Sequence, residues 1–235
     1  RGHPGTDGVG ATDRTPGLFS LLRAHALGCP RERSELQNWE SGQYHVALYL
    51  YNGNEYLEGM LGSFKARCAP FNVNYRYVGA ELSYLLDNAD CEALVYHRSM
   101  AGVVRDVLPA LARVKIAIEV DDGGEGWQRA QPYEALLAVS APASRIARQP
   151  DDYHLMYTGG TTGLPKGVIC HVAPWSTGLT AMFATNVLGL PAAPMSVEQL
   201  VATAQALHAK GVVPVVMPAS PLMHGVGFTF SSIPG

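Results

Sequence analysis

From residue 45 onward the chain alternates short unbroken apolar runs with longer stretches whose apolar positions recur every three to four residues. That is the signature of strands buried on both faces exchanging with amphipathic helices. The run VALYLY at 46–51 is followed by Leu57, Met60, Leu61 and Phe64 at i, i+3, i+4 and i+7, which predicts a helix that Asn52 or Asn54 could cap. A short strand follows near 69–73, then a helix carrying Leu82, Leu85 and Leu86, and a strand over 93–96. A helix with Val103, Val107 and Leu111 leads to a strand over 114–120. Strands separated by helices imply parallel crossovers, so the fold class is α/β, with layered parallel-rich sheets and flanking helices. Farther on, HLMY at 154–157 and VICH at 168–171 read as strands around a glycine-rich run. Ser196 and Gln199 form a capping box for a helix using Val197, Leu200, Val201, Ala204 and Leu207, stopped at Lys210 and Gly211. An apolar strand at 212–217 then delivers residues 221–225 at its exposed end, where open α/β sheets place ligands.

Residues 1–41 follow a different rule. They are rich in Gly, Pro, Thr, Asp and Arg and lack a sustained period apart from 18–27, so they are expected to be a poorly ordered or divergent lead to a domain at 42–235. Apolar residues make up 47% of the 235 and charged residues 16%, which favours a globular chain with a sizeable core. A net charge of −3 without a basic run argues against a nucleic-acid partner. The four cysteines, Cys29, Cys68, Cys91 and Cys170, form no CxxC pair, which disfavours a zinc site or a disulfide framework and suits a reducing, cytoplasmic compartment. Cys68 and Cys91 lie in apolar runs and read as buried inert thiols. No apolar run reaches membrane-spanning length and no secretory leader pattern is present, so no transmembrane segment is expected. DDGGEG at 121–126 lacks the ligand spacing of a calcium loop and reads as a solvated turn.

The most informative stretch is YTGGTTGLPKGV at 157–168, with four glycines, three threonines and one lysine. Glycines let successive N–H groups converge on an anion, threonine hydroxyls add donors, and Lys166 adds charge. It is not the common P-loop, because Lys166 lies between Pro165 and Gly167 and a strand rather than a helix follows. An isolated GG or GTTG is more often a glycine-rich surface hairpin. The whole run, however, resembles the phosphate-binding signature of the adenylate-forming superfamily, YTSGTTGxPKG, departing from it at Gly159, where serine is usual. Residues 46–74 with 75–86 resemble the N-terminal part of bacterial acyl-CoA synthetases that act on fatty and steroid acids. SPLMHG at 220–225 resembles the motif bordering the acyl pocket.

The resemblance implies an incomplete N-terminal domain of an adenylate-forming enzyme that activates a small-molecule carboxylic acid. ATP, Mg²⁺ and coenzyme A as co-substrate are implied with it. Thr158, Gly159, Gly160, Thr161, Thr162, Gly163 and Lys166 are the implied phosphate cradle, with Met223, His224 and Gly225 lining the acyl and adenylate pocket. No catalytic acid or base is assigned. His154 and His171 read as structural, and Tyr44, Tyr49, Tyr51 and Tyr56 as packing residues. The family's later motifs are expected beyond Gly235, so the chain reads as a truncated ligase with little or no complete activity alone. Peripheral membrane contact through a lipid substrate and a homo-oligomer both stay open. The alternatives are a noncatalytic nucleotide- or acyl-binding fragment, an interaction module, or an adenylating ligase with another acceptor. No GxSxG elbow supports a hydrolase, and no GxGxxG after a strand supports a dinucleotide enzyme.

Overall fold

The computed structural model describes residues 8–140, 143–160, 163–192, 196–212, 220–225 and 227. Seven strands form one sheet in the order β5-β4-β3-β1-β2-β6-β7. In chain order the elements are α1 (Gly8–Ala24), β1 (His45–Tyr49), α2 (Asn54–Lys65), β2 (Ala69–Asn72), α3 (Gly79–Asn88), β3 (Cys91–His97) and α4 (Ala101–Val107). Then follow β4 (Ile116–Val120), β5 (Gln131–Pro132), α5 (Tyr133–Val139), β6 (Tyr153–Gly160), β7 (Gly163–His171), α6 (Val172–Asn186) and α7 (Val197–Ala209). All pairings are parallel except the hairpin of β6 with β7.

β1 sits between β2 and β3 and is buried along its whole length. Its side chains alternate between two cores, as a pleated strand covered on both faces must. Val46 and Leu48 join Leu18, Leu22, Tyr56 and Met60 beneath α1, α2 and α5. Ala47 and Tyr49 join Phe71, Leu82, Leu85 and Val104 beneath α3 and α4. Helices therefore leave only the strand ends for polar chemistry.

Within the lead, Gly8–Ala24 forms α1, and its Leu18 and Leu22 join the core. Pro16 and several glycines lower local helix propensity in α1, but tertiary burial overrides it. Leu18 and Leu22 are both 0% exposed, each contributing about 1.5–3 kcal/mol over an exposed position. Gly59 and Gly62 of α2 leave room for this packing: a Cβ on Gly62 would stand 2.9 Å from a Leu18 methyl carbon, and one on Gly59 would stand 2.7 Å from a Leu48 methyl carbon. Farther along the lead, Arg67 donates to both Glu32 and Asp152, tying it to the start of β6.

Other expectations shift by smaller amounts. Asn52 and Asn54 do not cap α2, whose N-cap is Gly53 without a side-chain bond. The two strands around the glycine run extend into it, reaching Gly160 and starting again at Gly163. Ser196 caps α7 by accepting from the Gln199 amide at 3.2 Å, yet Leu200 and Val201 on its apolar stripe are 46% and 49% exposed. The turn at 121–126 has Gly123 and Gly124 at positive φ, and Asp121 accepts from the Gly123 amide. The strand expected at 212–217 lies, apart from Val212, outside the described residues. β5, α5 and α6 were not anticipated by periodicity. None of the described helices is long and apolar enough to cross a membrane.

One buried carboxylate fastens α1 in place. Glu58 of α2 is 0% exposed, accepts from Arg14 Nε at 2.7 Å and from the Tyr133 hydroxyl at 2.6 Å. Arg14 also forks onto Glu134. Replacing Arg14 with Leu strands the Glu58 charge and should cost about 3–5 kcal/mol in urea unfolding. The double change Arg14→Leu with Glu58→Leu should recover a large part of that loss, because no charge is then left buried.

Candidate functional site

β6 presents two faces because successive side chains point to opposite sides. His154 and Met156 face the core beneath α2, whereas Leu155 and Tyr157 pack toward Phe71 and α3. Beyond Tyr157 the apolar side chains stop and the glycine run begins. Thr158 pairs with Lys166 and Tyr157 with Gly167 across the hairpin, and the register becomes irregular between Thr158 and Gly160 before Gly160 pairs with Gly163. Thr158 and Lys166 are both exposed and stand opposite each other. Of the expected phosphate cradle, Thr161 and Thr162 lie outside the described residues. The other members, Thr158, Gly159, Gly160, Gly163 and Lys166, occupy the two arms of one hairpin.

Helix α3 holds both arms from one side. The Tyr157 hydroxyl donates to Asn88 at 2.9 Å, and the Tyr84 hydroxyl donates to the Pro165 carbonyl at 3.2 Å. Gly167 is required by this arrangement, since a Cβ there would meet the Tyr157 ring at 3.0 Å. The anchored flanks keep Lys166 opposite Thr158 while its side chain stays exposed. Such a hairpin can offer backbone N–H groups, a hydroxyl and a mobile cation to a polyanion.

The second group, Met223, His224 and Gly225, is brought to the same end of the sheet by two asparagines that sequence reasoning did not assign to the site. Asn52, just past β1, accepts from the Leu222 amide at 2.8 Å and donates to the Ser220 carbonyl at 3.3 Å. Asn72, closing β2, donates to the Met223 carbonyl and accepts from the Tyr157 amide at 3.1 Å. The available signal was an asparagine directly after an apolar strand run, in VALYLYN and in the FN of FNVN. Met223 is 5% exposed, His224 is exposed, and Gly225 sits against Met156, whose sulfur would lie 2.8 Å from a Cβ at that position. Met223 and Gly225 line a cleft with Tyr56, Met60, His154 and Met156.

The cleft is apolar, and its histidine is kept neutral. His154 is 2% exposed, with its ring 5.0 Å from Trp175 and 6.2 Å from Phe64. Burial pulls its imidazole down to about 4. Cys68 and Cys91 are buried and their thiols are pushed well up by desolvation, so they are not nucleophiles at neutral pH.

A profile described as AMP-binding enzyme matches residues 39–233. The chain belongs to that family. Among characterised members, it is 47% identical over 160 residues to the medium-chain acyl-CoA ligase Mig of Mycobacterium avium, covering 67% of this chain and 29% of that protein. It is 44% identical over 128 residues to the 3-oxocholest-4-en-26-oate–CoA ligase of Rhodococcus rhodochrous, covering 53% and 23%. The chain thus spans under a third of the length of either relative. Among solved structures, apo MatB from Rhodopseudomonas palustris superposes with a TM-score of 0.68 at 17% identity, over 97% of this chain and 37% of that one. The anthranilate CoA ligase AuaEII in complex with anthranoyl-AMP gives 0.65 at 16%, over 77% and 32%. At such identities these two establish the fold of the chain.

The neutral state of His154 sets a pH dependence. Its folded pKa lies below the ordinary 6.5, so the unfolded chain takes the proton first. The stability this creates is present above about pH 6.5 and is lost as pH falls toward 4. Glu92 acts the other way, because burial pushes its carboxyl up to about 7 against the opposing pull of the His45 amide and Lys115. The His154 contribution is therefore read as a difference between two proteins. Wild-type stability minus that of His154→Phe, from urea unfolding, should rise by about 2 kcal/mol between pH 5 and pH 7. A flat difference would show that the imidazole is not held neutral.

Proposed function

We propose that this AMP-binding chain takes part in ATP-dependent activation of a fatty or steroid-type carboxylic acid, through an acyl-adenylate to acyl-CoA. The observation that carries the proposal is the placement of an anion-suited hairpin and an apolar cleft at one end of a single sheet, with Met156 lining the cleft and its neighbour Tyr157, on the opposite face of β6, leading into the hairpin. The similarity to ligases whose names specify medium-chain and steroid-type acids supports this choice of substrate class.

In this reading a carboxylate oxygen attacks the α-phosphorus, the bond to the β-phosphate bridging oxygen breaks, and pyrophosphate leaves. The thiol of coenzyme A then attacks the acyl carbonyl, AMP leaves, and the thiol proton passes to solvent. The barrier is electrostatic, because one anion must approach another. Thr158, Gly159, Gly160, Gly163 and Lys166, together with Thr161 and Thr162 outside the described residues, would offset the charge of the leaving phosphates. Met223 and Gly225 would border the acyl chain with apolar surface, with His224 at the rim. Mg²⁺, which favours phosphate oxygens and water, would accompany the nucleotide and neutralise part of its charge. Four free thiols suit a reducing cytoplasmic setting, and the acyl chain could bring the protein to a membrane surface.

For the 235 residues alone we expect nucleotide binding with little or no thioester synthesis, since the relatives carry much more chain than is matched. Calorimetry with Mg·ATP should show saturable binding that Lys166→Ala weakens about tenfold, the loss of one charge-assisted contact. Gly160→Ala should weaken it as well. Labelled pyrophosphate should exchange into ATP weakly or not at all when medium-chain and steroid acids are added. ATP affinity that both substitutions leave unchanged would remove the hairpin from the site, whereas strong carboxylate-dependent exchange would show that these residues complete the first half-reaction unaided.

A further inference from the structure

The hairpin of β6 and β7 is loosely laddered to the rest of the sheet. β6 and β7 pair with each other from Tyr153 with His171 to Gly160 with Gly163, whereas β2 and β6 share the single register pair Phe71 with Leu155. Past that pair, the place of the next ladder bond is taken by a side chain. The Asn72 carboxamide accepts the Tyr157 amide proton through its oxygen and spends its nitrogen on the Met223 carbonyl. One planar group thus joins the base of the glycine hairpin to the backbone of the 220–225 segment. The segment has a second tie to β1 through Asn52 and a packing contact of Gly225 on Met156, the neighbour of Tyr157.

We propose that Asn72 is a positioning residue that couples the two half-sites, so that nucleotide on the hairpin and carboxylate in the cleft bind with positive cooperativity transmitted through its carboxamide. The coupling rests on the functional reading above; the clamp itself does not. A shift of β6 that follows the anion at Thr158 and Lys166 moves the Tyr157 amide. Because the amide group is rigid and planar, the Met223 carbonyl must follow or lose its donor. Ligands on either side then bias one shared arrangement, which is the physical content of coupling between sites.

Asn72→Asp separates the two halves of the group, since aspartate keeps the acceptor for Tyr157 and loses the donor to Met223. Hydrogen exchange by mass spectrometry on the ligand-free chain tests the clamp without any activity. Peptides covering 220–225 should exchange at least fivefold faster in Asn72→Asp while the peptide with Tyr157 is unchanged, and Asn72→Leu should speed both. Unchanged exchange at 220–225 in Asn72→Asp overturns the clamp. The coupling is then read by titrating decanoate with and without saturating Mg·ATP. Wild type should bind decanoate at least fivefold more tightly with the nucleotide, and Asn72→Asp should lose that gain at Mg·ATP concentrations that saturate the variant. Equal gains in the two proteins, or ligand binding without any gain in wild type, overturn the coupling. Failure of wild type to bind either ligand, with the exchange result as expected, defeats the functional reading and the coupling with it but leaves the clamp standing.

Discussion

Everything about the site follows from the burial of β1 on both faces. A strand whose every residue is buried can carry no exposed chemistry along its length, and its neighbours β2 and β3 are buried almost as fully. Polar function is pushed to the strand ends, where backbone groups have no further ladder partners and must find others. Asn52 and Asn72 stand at those ends and answer that demand with side chains. They also recruit a segment about 150 residues or more downstream in sequence. The site is in this sense a by-product of satisfying main-chain hydrogen bonds at the rim of a closed apolar layer.

Two kinds of support meet there. The hairpin is fixed at its flanks by tyrosine hydroxyls, that of Tyr84 in α3 on the Pro165 carbonyl and that of Tyr157 on Asn88 of α3. The 220–225 segment is fixed by side-chain amides to its backbone, while Leu222 and Met223 bury their side chains in the main core. Hydrogen bonds of this type contribute only about 0.5–1.5 kcal/mol each. The apolar burial therefore supplies most of the hold, and the asparagines supply direction.

Much of this was legible in the residues, for reasons that can be stated element by element. β1, α2, α3 and β3 carry clean periods because each has one kind of surroundings along its length. The glycine run was legible because its chemistry is local, with donors, flexibility and cation all within one hairpin. α1 was not, since Pro16, Gly17 and Thr15 argue locally against a helix that packing with α2 and α5 nonetheless holds. α6 escaped notice because VAPWSTGLTAMFATN distributes its apolar residues around the helix instead of along one stripe. Asn52 and Asn72 escaped because an asparagine after an apolar run looks the same whether it caps the next helix or reaches a distant loop. Only the fold distinguishes those two outcomes.

The Arg14 network has a consequence for how the chain acquires its structure during synthesis. α1 is the first described helix to be made, yet its ion pairs reach 44 residues ahead to Glu58 and 120 residues ahead to Glu134. Contacts of such separation form late, because the loop between them must first be closed. Leu18 and Leu22 thus have no complete core to enter until α5 has been synthesised. During that interval the emerging chain carries an apolar helix face in the open, which places its greatest risk of aggregation before the hairpin of β6 and β7 exists at all.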